Sequence, residues 1–130
     1  MRIYLDTAPI IYLVEEKEPF REKVISHLRG KNATLQTSEM ARLESRVKPM
    51  REKDDVLLAA YDEFFAEDFK QIIELTRDVV DTATELRAKY NFKTPDSIHL
   101  AAAITSGCEV FFTNDHRLDR CTEIKIETLE

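Results

Sequence analysis

The feature that most constrains the fold is a ten-residue stretch, 94–103, with the sequence TPDSIHLAAA. Thr94 and Pro95 favour a helix start, because threonine caps helix N-termini and proline suits the first helical position. Residues 98–104 are nearly all apolar, so the predicted helix needs cover on most of its sides. The chain must therefore supply other layers to bury this helix, which carries one acid, Asp96, at its mouth.

The rest of the chain alternates short apolar runs with helical patterns. Five runs predict strands, at 2–5, 33–37, 71–75, 108–112 and 124–128. Helical spacing predicts helices between them, at 8–14, at 20–28, from about 39, at 56–65, from 76 and from 94. This alternation favours an α/β fold, with a mostly parallel sheet of about five strands and helices on both faces. A length of 130 residues with two glycines suits one domain, 1–130.

Bulk properties exclude several classes of protein. The formal net charge of -6 disfavours non-specific nucleic-acid binding but allows an acid cluster that holds a cation. No apolar run approaches the ~20 residues that span a bilayer, and an acid at position 6 comes too early for a signal peptide. Cys108 and Cys121 lack metal-ligand spacing and are interpreted as reduced thiols. We therefore expect a cytoplasmic protein without a membrane segment.

Several acids stand where a ligand site would form. Asp6 and Asp115 each follow an apolar strand, Asp96 begins a helix, and Glu44 lies on the helix after Ser38. Ligand sites of open α/β sheets gather at the carboxyl ends of strands. Two like charges about 5 Å apart repel by roughly 3 kcal/mol at an effective dielectric near 20, and a divalent cation would offset that repulsion. Oxygen ligands favour Mg²⁺ or Mn²⁺, so the pattern predicts metal-assisted phosphodiester hydrolysis.

Four short motifs together resemble those of PIN-domain ribonucleases, and VapC-type toxins of toxin–antitoxin modules most closely. The motifs are strand-Asp6-Thr7, Ser38 followed by Glu44, TPDSIHLA at 94–101 and FTND at 112–115. The resemblance implies a three-layer, Rossmann-like PIN domain. It also implies a Mg²⁺- or Mn²⁺-dependent endoribonuclease, the toxin of a type II toxin–antitoxin system, that forms homodimers and binds a VapB-like antitoxin.

The resemblance also implies roles for individual residues. The acidic quartet is carried over as the catalytic set, Asp6, Glu44, Asp96 and Asp115, with Asp6, Asp96 and Asp115 as metal ligands. Supporting hydrogen bonds are expected from Thr7, Ser38, Thr113 and Asn114. Two alternatives stay open, since Glu39 competes with Glu44 for the role of helix acid and Asp119 is a further candidate acid.

One local stretch is basic, and it carries Arg42, Arg46, Lys48 and Arg51. We interpret it as a candidate contact surface for RNA phosphates, against the ordinary alternative of a solvated helix face. The helices at 10–14 and 56–65 are rich in large apolar residues, which predicts a groove that accepts an antitoxin segment.

Two other functions compete with the nuclease hypothesis. The first is a non-catalytic PIN-like module that binds RNA or a protein partner and whose acids are structural. The second is a Mg²⁺-dependent phosphatase of Rossmann-like fold. That class generally needs a second acid two residues after its nucleophilic aspartate, and Ala8 at this position counts against it.

Overall fold

The computed structural model describes residues 1–129, which form a five-stranded parallel sheet covered by helices on both faces. The strands are β1 (Arg2–Leu5), β2 (Thr34–Ser38), β3 (Gln71–Ile73), β4 (Val110–Thr113) and β5 (Lys125–Thr128). The helices are α1 (Thr7–Val14), α2 (Phe20–Leu28), α3 (Glu39–Arg51), α4 (Asp55–Glu67), α5 (Arg77–Tyr90), α6 (Thr94–Thr105) and a 3₁₀ helix (His116–Arg120). No helix within these residues is long and apolar enough to cross a bilayer. The predicted α/β architecture is confirmed.

The strand order, β3-β2-β1-β4-β5, reverses direction at β1. The chain moves outward from β1 through β2 to β3 and then returns to β4 on the other side of β1. A crevice opens at such a reversal, at the carboxyl ends of the strands, and it is the usual ligand site of parallel sheets. Asp6 follows β1 there, and its backbone N–H donates to the carbonyl of Phe112 in β4 at 2.9 Å.

Strand alternation decides which layer each side chain joins. Ile3 and Leu5 pack with residues of α1 to α4, whereas Tyr4 packs with residues of α5 and α6. Successive strand side chains point to opposite faces. Asp6, two residues after Tyr4, therefore shares the face of Tyr4 and is directed toward α6.

The middle of helix α6 is buried, as the sequence predicts, whereas Thr94, Pro95 and Thr105 at its ends are exposed. The side chains of Leu100, Ala101, Ala102 and Ala103 are fully buried. Three small residues in a row let the helix lie close to its neighbours, because no long side chain separates the backbones. The prediction that Thr94 caps this helix is wrong, because Thr94 is its first residue and Lys93 is the N-cap, whose side chain makes no capping hydrogen bond. Burial of its body fixes its first turn, and with it Asp96, against the core.

The proline in α3 differs from expectation. Pro49 is predicted to end or bend the helix, yet α3 continues to Arg51. A proline removes the hydrogen bond to the carbonyl four residues earlier. The carbonyl of Ser45 therefore lacks that donor, and α3 ends two residues after the proline.

Candidate active site

Asp6 is held by both of its carboxylate oxygens. Its Oδ1 accepts from the backbone N–H of Thr7 at 2.8 Å, which caps α1, and its Oδ2 accepts from Thr113 Oγ1 at 2.7 Å. The same threonine oxygen accepts from the backbone N–H of Asp115 at 3.1 Å. Thr113 at the end of β4 therefore fixes Asp6 and the backbone of Asp115 in one geometry.

Asp96 is the acid that lacks a partner. Within residues 1–129 no group donates a hydrogen bond to its side chain or forms an ion pair with it. Burial raises the pKa of Asp96, and the charges of Asp6 and Asp115 raise it further, while His99 and Arg117 oppose that rise only in part. The three aspartates therefore share one electrostatic environment, and within residues 1–129 Asp96 lies in it without a hydrogen-bonded or ion-paired partner.

Asp115 is paired within its own loop. Arg117 donates from Nε to Oδ1 at 3.0 Å and from Nη2 to Oδ2 at 2.7 Å. These hydrogen bonds from Arg117 hold the pKa of Asp115 below its usual range. The arginine side chain is 67% exposed, so its charge stands at the open side of the crevice.

Glu44 reaches the site from α3. Its Oε1 accepts from Thr7 Oγ1 at 2.7 Å and lies 2.6 Å from His99 Nε2. Burial raises the pKa of Glu44, but the hydrogen bond and charge of His99 outweigh it and hold that pKa below its usual range. Glu44 is therefore an ionised acid with a basic partner, in contrast to Asp96.

His99 is buried between the acids, with 1% of its surface exposed. Its Nε2 also lies 3.5 Å from Asp6 Oδ1. Burial lowers the pKa of His99, but the charge of Asp6 and the hydrogen bond and charge of Glu44 raise it more, so the net shift is upward. The upward shift favours the protonated form of His99, and its Nε2 lies within hydrogen-bonding distance of Glu44.

Tyr4 completes this network from β1. Its hydroxyl lies 2.7 Å from His99 Nδ1 and 2.7 Å from Ser38 Oγ, and all three residues are buried. Ser38 occupies the N-cap position of α3, but its side chain makes no capping hydrogen bond. Its predicted support of the site thus runs through Tyr4 and His99 rather than to an acid directly.

The central places of Tyr4 and His99 were not predicted from the sequence. Two weak signals were present, since His99 is the one ionisable residue in the apolar run 98–104 and Tyr4 precedes Asp6 by two positions. Neither signal names a partner. Only the packing of α6 on β1 brings the hydroxyl and the imidazole together.

The geometry of the acid cluster argues both against and for metal binding. Within residues 1–129 no three His, Cys, Asp or Glu side chains are arranged so that they could hold a metal ion. Arg117 donates to both oxygens of Asp115, so that acid is already shared with a cation. The unpartnered carboxylate of Asp96, however, matches a divalent cation in charge and donor type. In donor type alone, the three aspartates suit Mg²⁺ or Mn²⁺.

Other residues named from the sequence lie outside the acid cluster. Asn114 is exposed and donates from Nδ2 to the hydroxyl of Tyr12 at 2.8 Å. Asp119 is exposed on the 3₁₀ helix. Glu39 forms an ion pair with Arg42 on its own helix. Of the two candidate glutamates of α3, Glu44 is thus the one that contacts Thr7 and His99.

The basic stretch of α3 is partly neutralised. Arg42 pairs with Glu39, and Arg46 Nε lies 3.0 Å from Asp62 Oδ1. Lys48 and Arg51 are exposed. RNA contact by these four residues remains a prediction.

Comparisons with known proteins agree with this architecture. The family model described as PIN domain matches residues 3–124. No curated protein matches the chain. A structure of VapBC2 from Rickettsia felis bound to a promoter DNA fragment is similar with a TM-score of 0.80, at 18% identity over 100% of both chains.

Two further structures share the fold. A toxin–antitoxin complex from Klebsiella pneumoniae has a TM-score of 0.68 at 18% identity over 98% of both chains. A DNA-bound VapBC from Salmonella typhimurium has a TM-score of 0.69 at 18% identity, over 100% of this chain and 99% of that one. At such identities the likeness concerns the fold alone. The family model, which spans nearly the whole chain, shows that this protein belongs to the PIN-domain family.

Proposed function

We propose that the protein is a Mg²⁺- or Mn²⁺-dependent endoribonuclease that hydrolyses RNA phosphodiester bonds as the toxin of a type II toxin–antitoxin system. The observation that carries the proposal is the acid cluster at the β1–β4 crevice. In that cluster Asp96 is half-buried and unpartnered, and its pKa is raised by burial, by Asp6 and by Asp115. An uncompensated acid is costly to the fold, so a role in binding a cation is a reason for its presence.

Asp6, Asp96 and Asp115 would hold the metal in this proposal. A bound divalent cation would lower the pKa of the attacking water and shield charge on the phosphate. The protein supplies the positioning. Thr113 orients Asp6, the first turn of the buried helix α6 fixes Asp96, and Thr7 and His99 orient Glu44 toward the same crevice.

The test is cleavage of a structured RNA with and without Mn²⁺. Asp6→Asn and Asp96→Asn should each abolish Mn²⁺-stimulated cleavage, since each removes a ligand charge. Asp81→Asn is the matched control, because Asp81 is an exposed acid on α5. Cleavage at the wild-type rate by either site variant would contradict the assignment of the site.

Calorimetric titration with Mn²⁺ separates this proposal from its alternative. Binding that both site variants lose would support the nuclease. The absence of binding at any concentration would favour a non-catalytic module that binds RNA or a protein partner, an alternative supported by the Arg117–Asp115 pair.

Two kinds of partner belong to the proposal. A VapB-like antitoxin is proposed because the similar structures include toxin–antitoxin complexes, and its segment would lie against α1 and α4. We also propose that a second copy of the chain binds to the exposed surface of α3 and forms a homodimer. Leu43, Val47 and Met50 of α3 are 57%, 42% and 55% exposed at spacings of four and three residues, so they form one apolar stripe.

A further inference from the structure

A basic pocket adjoins the acid cluster on the side of the 3₁₀ helix. It is a cavity of about 150 Å³ between the turn before α6 and the 3₁₀ helix. Lys93, Arg117 and Arg120 supply positive charge to its lining, and Asp96 is its acid. Asp96, on which the proposed nuclease function depends most, is therefore part of the wall of this pocket.

Two of the three cations in this pocket have no acidic partner. Arg117 is neutralised by Asp115. Within residues 1–129 neither Lys93 nor Arg120 forms an ion pair with a carboxylate. The chain carries a formal net charge of -6, and these two cations place uncompensated positive charge in a pocket that also contains Asp96.

Arg120 is held in place by neutral groups. Its Nη2 donates to the carbonyl of Tyr90 at 3.1 Å and its Nε to the carbonyl of Arg117 at 3.3 Å. Its guanidinium carbon lies 4.8 Å from the centre of the Phe92 ring, which is itself buried. A guanidinium has five N–H donors, so this anchoring leaves donors and the full charge for a ligand.

Lys93 lines the same pocket as Asp96, Arg117 and Arg120. It is exposed, so its ammonium group is accessible to a ligand from solvent. A lysine and a prepositioned arginine around a small cavity form a site for a phosphate group.

We propose that Lys93 and Arg120 bind a backbone phosphate of the RNA strand adjacent to the phosphodiester that is cut. The inference rests on the proposed nuclease function and deepens it. Contacts to phosphates set the register and orientation of a strand but read no bases. The pocket would therefore decide which phosphodiester lies over Asp96, without selecting a sequence.

The test measures binding of a fluorescently labelled single-stranded oligoribonucleotide by anisotropy, in EDTA, across a salt series. The variants are Lys93→Gln, Arg120→Gln and the double variant. Each lost phosphate contact on a single strand lowers the slope of log affinity against log salt by about 0.7. When salt falls tenfold, from 1 M to 0.1 M, the affinity of each single variant should rise about fivefold less than that of the wild type. For the double variant the rise should be about 25-fold smaller.

Two controls separate local contact from other effects. Lys23→Gln with Lys70→Gln removes the same charge from exposed positions outside the pocket and should keep the wild-type slope. Arg120→Lys retains the charge while losing the fork of N–H groups, and it should keep most of the slope. If Arg120→Gln unfolds, which thermal melting would reveal, Lys93→Gln still tests the pocket because Lys93 is exposed.

Three results would each contradict the proposed phosphate site. They are a wild-type slope in the double variant, an equal loss of slope in the Lys23/Lys70 control, and no RNA binding by the wild type. If the pocket variants lose affinity as expected but the wild type cleaves no RNA with Mn²⁺, the nuclease function fails and the phosphate site stands. If the wild type cleaves RNA and the double variant binds normally, the phosphate site alone fails.

Discussion

The hydroxyl of Tyr4 is the part of the network whose removal is easiest to interpret. With His99 neutral, Ser38 donates to Tyr4, Tyr4 donates to Nδ1, and Nε2–H donates to Glu44. With His99 protonated, the two hydrogen bonds at Tyr4 reverse direction. In both states the partners of the hydroxyl are satisfied, so Tyr4→Phe removes one oxygen and leaves two buried polar atoms without it.

The expected cost follows from burial and distance. Both hydrogen bonds are 2.7 Å long, Ser38 is fully buried, and His99 is 1% exposed. A buried group left without its partner costs about 1–3 kcal/mol, and two such groups with some relaxation give about 3 kcal/mol. The phenylalanine ring retains the stacking on Phe111, so packing adds little. The unfolding entropy is about 2.1 cal/mol/K per residue for the 130 residues of the chain. Dividing about 3 kcal/mol by the total entropy gives a Tm about 11 °C lower for Tyr4→Phe.

Urea denaturation at neutral pH measures this change in the free energy of unfolding. Tyr90→Phe is the matched control, because its hydroxyl bonds to Thr122 and Glu123 at an exposed position and should cost under about 1 kcal/mol. A Tyr4→Phe variant within about 0.5 kcal/mol of the wild type would refute the reasoning. An equal loss in both variants would refute it too, since burial would then not decide the cost.

The remaining predictions concern Asp96 and α3. Asp96→Asn should raise the metal-free unfolding free energy at pH 7 by about 0.5–1 kcal/mol, a small gain because water screens a half-buried carboxylate. The folded-state pKa of Asp96 is raised, so its penalty exists at neutral pH and disappears below the unfolded-state pKa of about 3.9. The two stability curves should thus converge in acid; a less stable variant at pH 7 would contradict this, and Asp81→Asn should follow the wild type. Val47→Asp should convert a dimer to a monomer in light scattering. At protein concentrations where both forms are monomeric, the unfolding free energy should change by less than about 0.5 kcal/mol, since Val47 is exposed. A monomeric wild type would exclude this interface, and Val80→Asp, on α5, is the control.

The fold was largely predictable because its signals are local. Strand runs ended by Asp6 and Thr113, the helical spacing between them and the apolar stretch that follows Pro95 each depend on a few neighbouring residues. The cap of α1 is also a local feature, because aspartate suits a helix N-cap and the carboxylate of Asp6 accepts from the Thr7 N–H. The helix bounds were less predictable, as Thr94 illustrates, since it is the first residue of α6 and Lys93 is the N-cap.

The sequence by itself determined that four acids stand at strand ends, on a helix and at a helix mouth, and that the sheet is parallel. Only the tertiary structure decided how unequal those acids are. Glu44 is ionised beside His99, Asp115 is paired with Arg117, and Asp96 has no partner. The physical reason is that partners such as Glu44 and His99, 55 residues apart, meet only when α3 and α6 pack on either side of β1. Charge compensation depends on that packing, and no local pattern in the chain encodes it.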